Sequence, residues 1–362
     1  MSQNKSMRRP SECRPLAVIA AAALLSCEST SHSVGRDVGL SHSEQIQIPD
    51  TLDEGTPVDL AQIDDSLFAI VPERAERFAI IDRKGKTRFT SIRGHGPCET
   101  AGITSLAVAN EHLVVVDASL SRIQRWSREG QCLQEVSMST HRLGKSWVVN
   151  GKVVVRARRA LGAAPTFLEL NDSLSVVREV KLDDRGANGA AGLCDYCRTA
   201  VTARGDIVSL TMDDSRFRVV IRSLHAPGVR IFERADIRPP LWTNSERDSV
   251  RAFHLSLASR QTDPRFAAAV RQAALQYRIA PEKPLFQGLP VAASNAVLLP
   301  MSSPAGRPTS VLALDPSTQT FRGPFDLGSG CRLLSVRLAR VWQYCLSADG
   351  QSHIVTATVV GL

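Results

Sequence analysis

The sequence has 362 residues, 43% hydrophobic and 22% charged, which excludes an intrinsically disordered chain and a protein built largely of membrane-spanning helices. The formal net charge is +8, but residues 1–26 hold four basic groups and one acidic group, so the rest carries 8 − 3 = +5. That charge favours contact with anionic surfaces, and without basic residues clustered on one face it does not predict nucleic-acid binding.

The first predicted element is a signal peptide. A basic segment ends at Arg14, and the ten apolar residues 16–25 are too few to cross a bilayer of ~30 Å as a helix. The Leu-Leu-Ser-Cys run at residues 24–27 resembles the bacterial lipobox, which implies acylation of Cys27 and cleavage before it. The alternative is an ordinary signal peptide with a chance cysteine. We expect a signal peptide over 1–26, a flexible tether over 27–43, and a folded domain over 44–362.

Short β-type runs follow in sets of four, each bounded by Gly, Pro, Asn or Asp. The clearest set covers residues 104–108, 112–116, 122–126 and 133–136. The set before it repeats the same landmarks 45 or 46 residues earlier. Four strands repeating every 40–50 residues are typical of a propeller blade.

Weaker copies continue to the end of the sequence and bring the number of blades to six. The last blade has three strands of its own over residues 333–355, and the run 45–48 stands alone ahead of blade one. Pairing these two parts would close the ring and remove both exposed sheet edges. We therefore predict an all-β fold, a six-bladed β-propeller closed by an N-terminal strand.

One segment, at about 243–284, breaks the repeat between blades four and five. Thr243 and Glu246 form a capping-box pattern, and Pro264 begins a second helix. Apolar residues then recur at helical spacing in both predicted helices: Val250, Phe253, Leu257, and Phe266, Val270, Ala273, Tyr277. We expect a two-helix insertion that packs its apolar stripes on one propeller face, as a cap or as a partner-binding arm.

Blade two carries a family resemblance. The residues Gly94 to Glu99, the run Val115-Val116-Asp117, the run Arg122-Ile123-Gln124, and Gly130 resemble one NHL-type repeat. Such repeats occur in six-bladed, TolB-like propellers, including a group of bacterial lipoproteins. The likeness is specific over blade two, fair over blade one, and one of pattern elsewhere. Leu120 and Ser121 stand where that repeat usually has Asn, so no binding site is transferred from it.

The cysteines predict disulfides. Of eight, Cys13 leaves with the signal peptide and Cys27 is the lipid site, so six remain in an oxidising compartment. Cys331 and Cys345 lie symmetrically about Leu338, the expected tip of a hairpin, so they should face each other across paired strands.

The other four cysteines are less clear. Cys194 and Cys197 form a CxxC motif that could be redox-active, zinc-binding or a small closed loop. A structural disulfide is favoured because no helix start and no second pair accompany it. Cys98 and Cys132 remain by elimination, but strand order places them at opposite ends of blade two and argues against their pairing.

Catalytic motifs are lacking from the sequence. The histidines show no metal-binding spacing, and no GxSxG, P-loop or dinucleotide motif occurs. Residues 94–99 resemble a phosphate loop, but they join two strands and are better explained as a turn between blades. We predict no catalytic residue, no metal site and no cofactor.

A candidate binding face comes from charged residues at one end of blades two and three. Asp117 and Arg122 bracket a turn in blade two, where they could bind a ligand, although mutual pairing that braces the turn is the favoured interpretation. Arg156 and Arg158 follow the matching strand of blade three, and His95 precedes blade two.

These features favour a lipid-anchored, non-catalytic binding or scaffold module, exported to the cell membrane or outer membrane. Its partner would be an envelope protein or a small ligand, not nucleic acid. The alternative is a propeller hydrolase or lyase of the lactonase type, with a metal in the central channel. Three or more convergent carboxylate or Asn oxygens in that channel would favour the enzyme. A structural subunit of an envelope complex would instead show a large apolar patch on the insertion.

Overall fold

The computed structural model describes residues 39–48, 57–160, 163–181, 199–213, 216–234, 236–238, 240–259, 263–277, 279, 282–283, 290–293, 296–303, 309–328, 330–337, 340–346 and 351–360. Within these ranges the chain is built of strands and two helices. No described helix is both long and apolar enough to cross a membrane.

The strands are short and follow one another closely. The first thirteen are β1 (Gly39–Gln47), β2 (Asp59–Gln62), β3 (Leu67–Val71), β4 (Ala79–Asp82), β5 (Thr87–Thr90), β6 (Ile103–Ala109), β7 (His112–Asp117), β8 (Arg122–Trp126), β9 (Cys132–Ser137), β10 (Arg142–Val149), β11 (Lys152–Arg158), β12 (Thr166–Leu170) and β13 (Val176–Lys181). The others are β14 (Thr199–Val201), β15 (Asp206–Asp213), β16 (Arg216–Ser223), β17 (Val229–Arg234), β18 (Val291–Ala292), β19 (Val297–Met301), β20 (Ser310–Asp315), β21 (Thr320–Asp326), β22 (Cys331–Arg337), β23 (Arg340–Leu346) and β24 (Ser352–Val360).

These strands form six four-stranded antiparallel sheets. Blades one to five are β2–β5, β6–β9, β10–β13, β14–β17 and β18–β21, each in chain order. Blade six has the order β1-β24-β23-β22. The innermost strands β2, β6, β10, β14, β18 and β22 each lie beside the next, and β22 lies beside β2. The predicted all-β, six-bladed propeller is therefore confirmed.

The N-terminal strand closes the ring, as predicted. β1 pairs antiparallel with β24, from Gly39 opposite Val360 to Gln47 opposite His353. It is longer than the run 45–48 expected from the sequence and begins inside the segment 27–43 predicted as a tether. Backbone pairing along one edge is enough to form an outer strand, and it does not require alternating apolar side chains. The Ser/His/Gly-rich residues before Gln45 therefore carry no pattern that would predict a strand.

The core lies between the blades. Ile46 of β1 and Trp342 of β23 are buried together with Phe68 of β3, so blades six and one share one apolar cluster. The rings of Phe68 and Trp342 are 4.7 Å apart between centroids. Each such side chain, fully removed from water, contributes about 1.5–3 kcal/mol to folding. Closure of the ring is thus a packing interaction as well as a strand pairing.

Two disulfides are present in the described residues. Cys331 and Cys345 lie directly opposite each other on β22 and β23 and are bonded, which confirms the predicted pair. Cys98 and Cys132 are bonded as well, with Cα atoms 6.0 Å apart, so the expectation that they would not pair is wrong. The predicted Cys194–Cys197 pair lies outside the described residues.

The twist of the blades explains the Cys98–Cys132 bond. Neighbouring strands rotate against one another, so the outer strand of a blade tilts toward the next blade. Phe89 at the end of blade one packs directly on Gly130 in the β8–β9 hairpin, where a Cβ would lie 2.2 Å from its ring. The connection that follows Phe89 carries Cys98 past that hairpin to Cys132. A prediction from strand order assumes a flat blade, so it does not show that Cys98 and Cys132 come close together.

The insertion forms two helices, α1 (Asn244–Ser259) and α2 (Pro264–Gln276), between β17 and β18 as predicted. The capping box is present: the Glu246 N–H donates to Thr243 Oγ1 at 3.2 Å, and the Thr243 N–H donates to Glu246 Oε2 at 2.9 Å. Asp263 caps α2 and accepts the Arg265 N–H at 2.8 Å.

The apolar stripes of these helices do not pack on the propeller as expected. α1 and α2 pack against each other, and Ala258 is the single buried residue described in either helix. Val250 and Val270 are half-buried, whereas Phe253 and Phe266 remain more than half exposed. The helices thus bury part of each other's apolar surface, and the rest of both stripes is exposed.

Candidate functional site

The candidate site lies where the inner strands begin. In a ring of repeated four-stranded meanders, the connections into the inner strands and those between the second and third strands lie at one end. We call this end the upper face. The helical insertion also arises there, between the last strand of blade four and the first strand of blade five.

Asp59 at the start of β2 is the centre of a polar cluster at the mouth of the channel. Its side chain is buried, and its Oδ2 accepts the Leu106 N–H of β6 at 2.8 Å. Lys145 of β10 reaches the same oxygen with its Nζ at 2.8 Å. One carboxylate therefore connects the inner strands of blades one, two and three.

A pair of serines repeats this arrangement one blade further on. The Ser146 N–H donates to Ser105 Oγ at 3.0 Å, and the two hydroxyl oxygens are also 3.0 Å apart. Thr104 Oγ1 donates to the Gly144 carbonyl at 3.2 Å. Adjacent inner strands are not paired in a sheet, so their edge groups need side-chain partners. The cluster supplies them and fixes the spacing of three blades.

A second cation lies on the other side of Asp59. Arg332 of β22 donates to the Pro57 carbonyl, and its guanidinium carbon lies 5.5 Å from the centre of the Tyr344 ring. Desolvation lowers the pKa of Arg332 somewhat, but a guanidinium is so basic that the group stays charged at neutral pH. With Lys145 and Asp59, the channel mouth holds two cations and one anion.

The residues that the structure describes around this channel do not form the donor set of a central metal site. Asp59 is the single acidic residue in the six inner strands as the structure describes them. Both of its oxygens are engaged, since Oδ1 accepts the Leu60 N–H at 3.1 Å. No group of three or more His, Cys, Asp or Glu able to hold a metal occurs in the described ranges.

Asp117 and Arg122 face each other on β7 and β8 but have different partners, so the expected mutual pairing is wrong. Asp117 is fully buried and accepts the N–H groups of Ala101 at 2.7 Å and Leu120 at 2.9 Å. Backbone N–H groups thus satisfy both oxygens of the Asp117 carboxylate. Asp117 therefore fixes the connection that leads into β6.

Arg122 holds the 94–99 segment in place. Its Nη1 donates to the Gly96 carbonyl at 2.7 Å and its Nη2 to the His95 carbonyl at 3.0 Å. Glu135 completes the arrangement with an ion pair at 3.2 Å and accepts the Cys98 N–H at 2.9 Å. The segment is the connection between blades one and two. His95 is the predicted site residue on it, and its side chain is exposed.

The remaining predicted residues, Arg156 and Arg158, lie apart from this group at the upper end of blade three. Both side chains are buried. Arg158 stands directly opposite Arg142, which is exposed, and Arg159 pairs with Glu179 at 2.9 Å. The structure thus places the five candidates in two groups. His95, Asp117 and Arg122 are hydrogen-bonded within or next to the connection into blade two, and Arg156 and Arg158 lie buried in blade three.

Sequence reasoning missed the Asp59–Lys145 pair. The two residues are 86 positions apart on blades one and three, and no repeat spacing links them. The one local signal is the run Gly144-Lys145, which interrupts the apolar pattern of β10 and forms a bulge in its pairing with β11.

Comparison with known proteins supports the fold. No family model matches the chain, and no curated protein matches it. The chain is similar to a protein of Bacteroides fragilis classed as exported, with a TM-score of 0.52 and 9% identity over 91% of this chain and 97% of that one. At that identity the likeness shows the fold alone.

Two further structures are less similar. The virginiamycin B lyase of Staphylococcus aureus has a TM-score of 0.45 and 9% identity over 90% and 100% of the two chains. A 6-phosphogluconolactonase structure from Bacteroides uniformis has a TM-score of 0.39 and 10% identity over 74% and 69%. Both scores are too low to support an inference. From its own topology, and with the likeness to the Bacteroides fragilis protein, the chain is a six-bladed β-propeller.

Proposed function

We propose that this protein is an exported, lipid-anchored module of the cell envelope that binds a partner without catalysing a reaction. The observation that carries the proposal is the channel mouth, where Asp59, the one carboxylate in the inner strands as the structure describes them, is already bonded to Lys145 and to backbone N–H groups. A rigid ring with connections gathered at its upper face suits recognition. We also propose kinship with the NHL-type, TolB-like propellers, on the residues of blade two.

The surface proposed to meet the partner is the upper face over blades two and three. Arg142 and His95 are exposed there, above the buried Arg156 and Arg158. The exposed Arg142 and the two arginines buried beneath it favour a partner that presents carboxylates or other anions.

Lipid anchoring has its own test. Replacing Cys27→Ser removes the thiol that the lipobox would acylate, so we expect loss of palmitate labelling and release of the protein from the membrane fraction. Labelling and fractionation of whole cells measure both. Continued membrane association of the variant, with no label on the wild type, would show that the lipobox interpretation is wrong.

Partner binding is tested by crosslinking and capture from native membranes. We expect Arg142→Glu to lose the captured protein, because it reverses charge at the centre of the proposed surface. The matched control is Lys84→Glu, an equally exposed charge reversal in the β4–β5 hairpin away from the upper face. Equal capture by both variants, or no specific capture by the wild type, would contradict the proposed surface.

A further inference from the structure

The helical insertion exposes an unusual amount of apolar surface. Every aromatic residue among the exposed large hydrophobic side chains of the described chain belongs to it: Phe253, Phe266 and Tyr277, at 55%, 56% and 49% exposure. Leu255 and Leu275 are exposed on the same two helices. Leaving the apolar stripe of an amphipathic helix pair exposed to water costs free energy. We therefore expect this surface to have a partner.

The exposed aromatic residues are connected across the helix pair. The rings of Phe253 and His254 on α1 are 5.9 Å apart, and those of His254 and Tyr277 are 4.4 Å apart. Tyr277 follows the last residue of α2, so these contacts join the end of one helix to the middle of the other. Part of the apolar surface is therefore shared between the two helices.

The root of the insertion is held firmly. Lys283 is buried, forms an ion pair with Glu246 and donates to the Ser303 carbonyl at 3.0 Å, beside blade five. Trp242 lies over the same ammonium at 5.6 Å and donates its Nε1–H to the Glu282 carbonyl at 3.0 Å. These contacts join the two chain ends of the insertion to each other and to blade five, so the helices have a defined position on the upper face.

The charge of the insertion limits what its apolar surface can bind. Residues 244–278 contain six arginines and three acidic residues, a net of +3 out of the +5 carried by the chain after residue 26. Arg251, Arg265 and Arg271 are exposed beside the apolar side chains. Arginine stems can lie along an apolar surface while their head groups reach phosphates.

We infer that the insertion docks on an anionic lipid bilayer, with its phenylalanines in the interface and its arginines on the lipid phosphates. Exposed aromatic residues beside arginine on an amphipathic helix are typical of helices that lie in the membrane interface. The inference rests on the proposed function for the presence of a bilayer close by. Eleven residues, 28–38, separate Cys27 from β1, and a chain of that length can span at most ~40 Å, so the proposed anchor would hold the propeller close to the membrane.

The test is vesicle sedimentation of the mature chain from residue 28 onward, so that neither the apolar residues 16–25 nor an acyl chain contributes. Vesicles of phosphatidylcholine are compared with vesicles that also contain phosphatidylglycerol. We expect binding to the anionic vesicles, and a fall of about tenfold or more when Phe253→Ser and Phe266→Ser are added, because two exposed aromatic anchors are lost. Circular dichroism checks that each variant is folded.

The matched control is Val229→Ser with Ile231→Ser. Both residues are 52% exposed on β17, outside the insertion, so the pair removes comparable apolar surface without touching the helices. This control should bind as the parent does. Equal binding by all variants, or binding that does not depend on phosphatidylglycerol, would overturn the inference.

A self-association surface is the other outcome that the experiment can reveal. Sedimentation equilibrium that shows a dimer in solution, abolished by the two serine substitutions and accompanied by no vesicle binding, would overturn the lipid inference. Failure of lipid anchoring is a separate result, since it would appear in the Cys27→Ser fractionation and leave the vesicle measurement unchanged.

Discussion

Removing residues 39–47 is expected to abolish cooperative unfolding of the propeller. β24 keeps its pairing with β23 but loses β1 along nearly its whole outer edge, so the edge of blade six is left open. Ile46, which is 1% exposed, leaves the cluster that contains Phe68 and Trp342 and opens it to water. A ring with one incomplete blade also loses the constraint that holds blade six against blade one. Thermal unfolding followed by circular dichroism should show a broad transition and early aggregation.

Two controls make this result specific. Deleting nine residues from the predicted tether, 29–37, shortens the chain equally and should leave the transition unchanged. A point substitution tests the same strand without truncation: Ile46→Asp places a charge in the buried cluster and should cost about 3 kcal/mol or more. Gln45→Asp on the adjacent, exposed position should cost almost nothing. An unchanged midpoint after the deletion of 39–47 would contradict closure by β1.

The repeat could be predicted from the sequence because each strand carries local information. Blade two was located to within two residues at every strand end, since apolar alternation marks its strands and Gly130, at φ 86°, marks its last turn. The insertion was found in the same way, from the Thr243–Glu246 capping box and from Pro264. Signals of this kind depend only on residues that are close in sequence, so they can be read from one sequence alone.

The features that could not be predicted depend on three-dimensional relations between blades. The Cys98–Cys132 bond follows from the tilt of outer strands, which no linear spacing records. Asp117 and Arg122 face each other as expected, yet each bonds to backbone groups of the 94–102 connection, whose path the sequence does not specify. Both helices were predicted from the sequence, but the face on which they meet is a tertiary property. In α2 the half-buried residues are Ala267, Val270 and Ala274, and of the predicted stripe only Val270 is among them.

The Asp59–Lys145 pair belongs to this second class, and its removal is the other change expected to have a large effect. Asp59→Ala leaves the Leu106 N–H without its acceptor and Lys145 without its carboxylate at the channel mouth. Breaking a buried ion pair from one side costs about 3–5 kcal/mol; Lys145 keeps some contact with water, which reduces the expected loss to about 2–3 kcal/mol. Chemical denaturation of the purified protein measures it.

Asp59→Asn separates the two contributions, because an amide oxygen still accepts the Leu106 N–H while the charge on Lys145 goes unpaired. We expect it to cost less than Asp59→Ala, and the double variant with Lys145→Met to recover part of the loss, as coupled neighbours do. Asp65→Ala, an exposed acid in the β2–β3 hairpin of the same blade, should be neutral. If Asp59→Asn is as harmful as Asp59→Ala, the charge matters more than the hydrogen bond. If neither variant changes stability, Asp59 does not hold the inner strands together, and its carboxylate is available for a ligand after all.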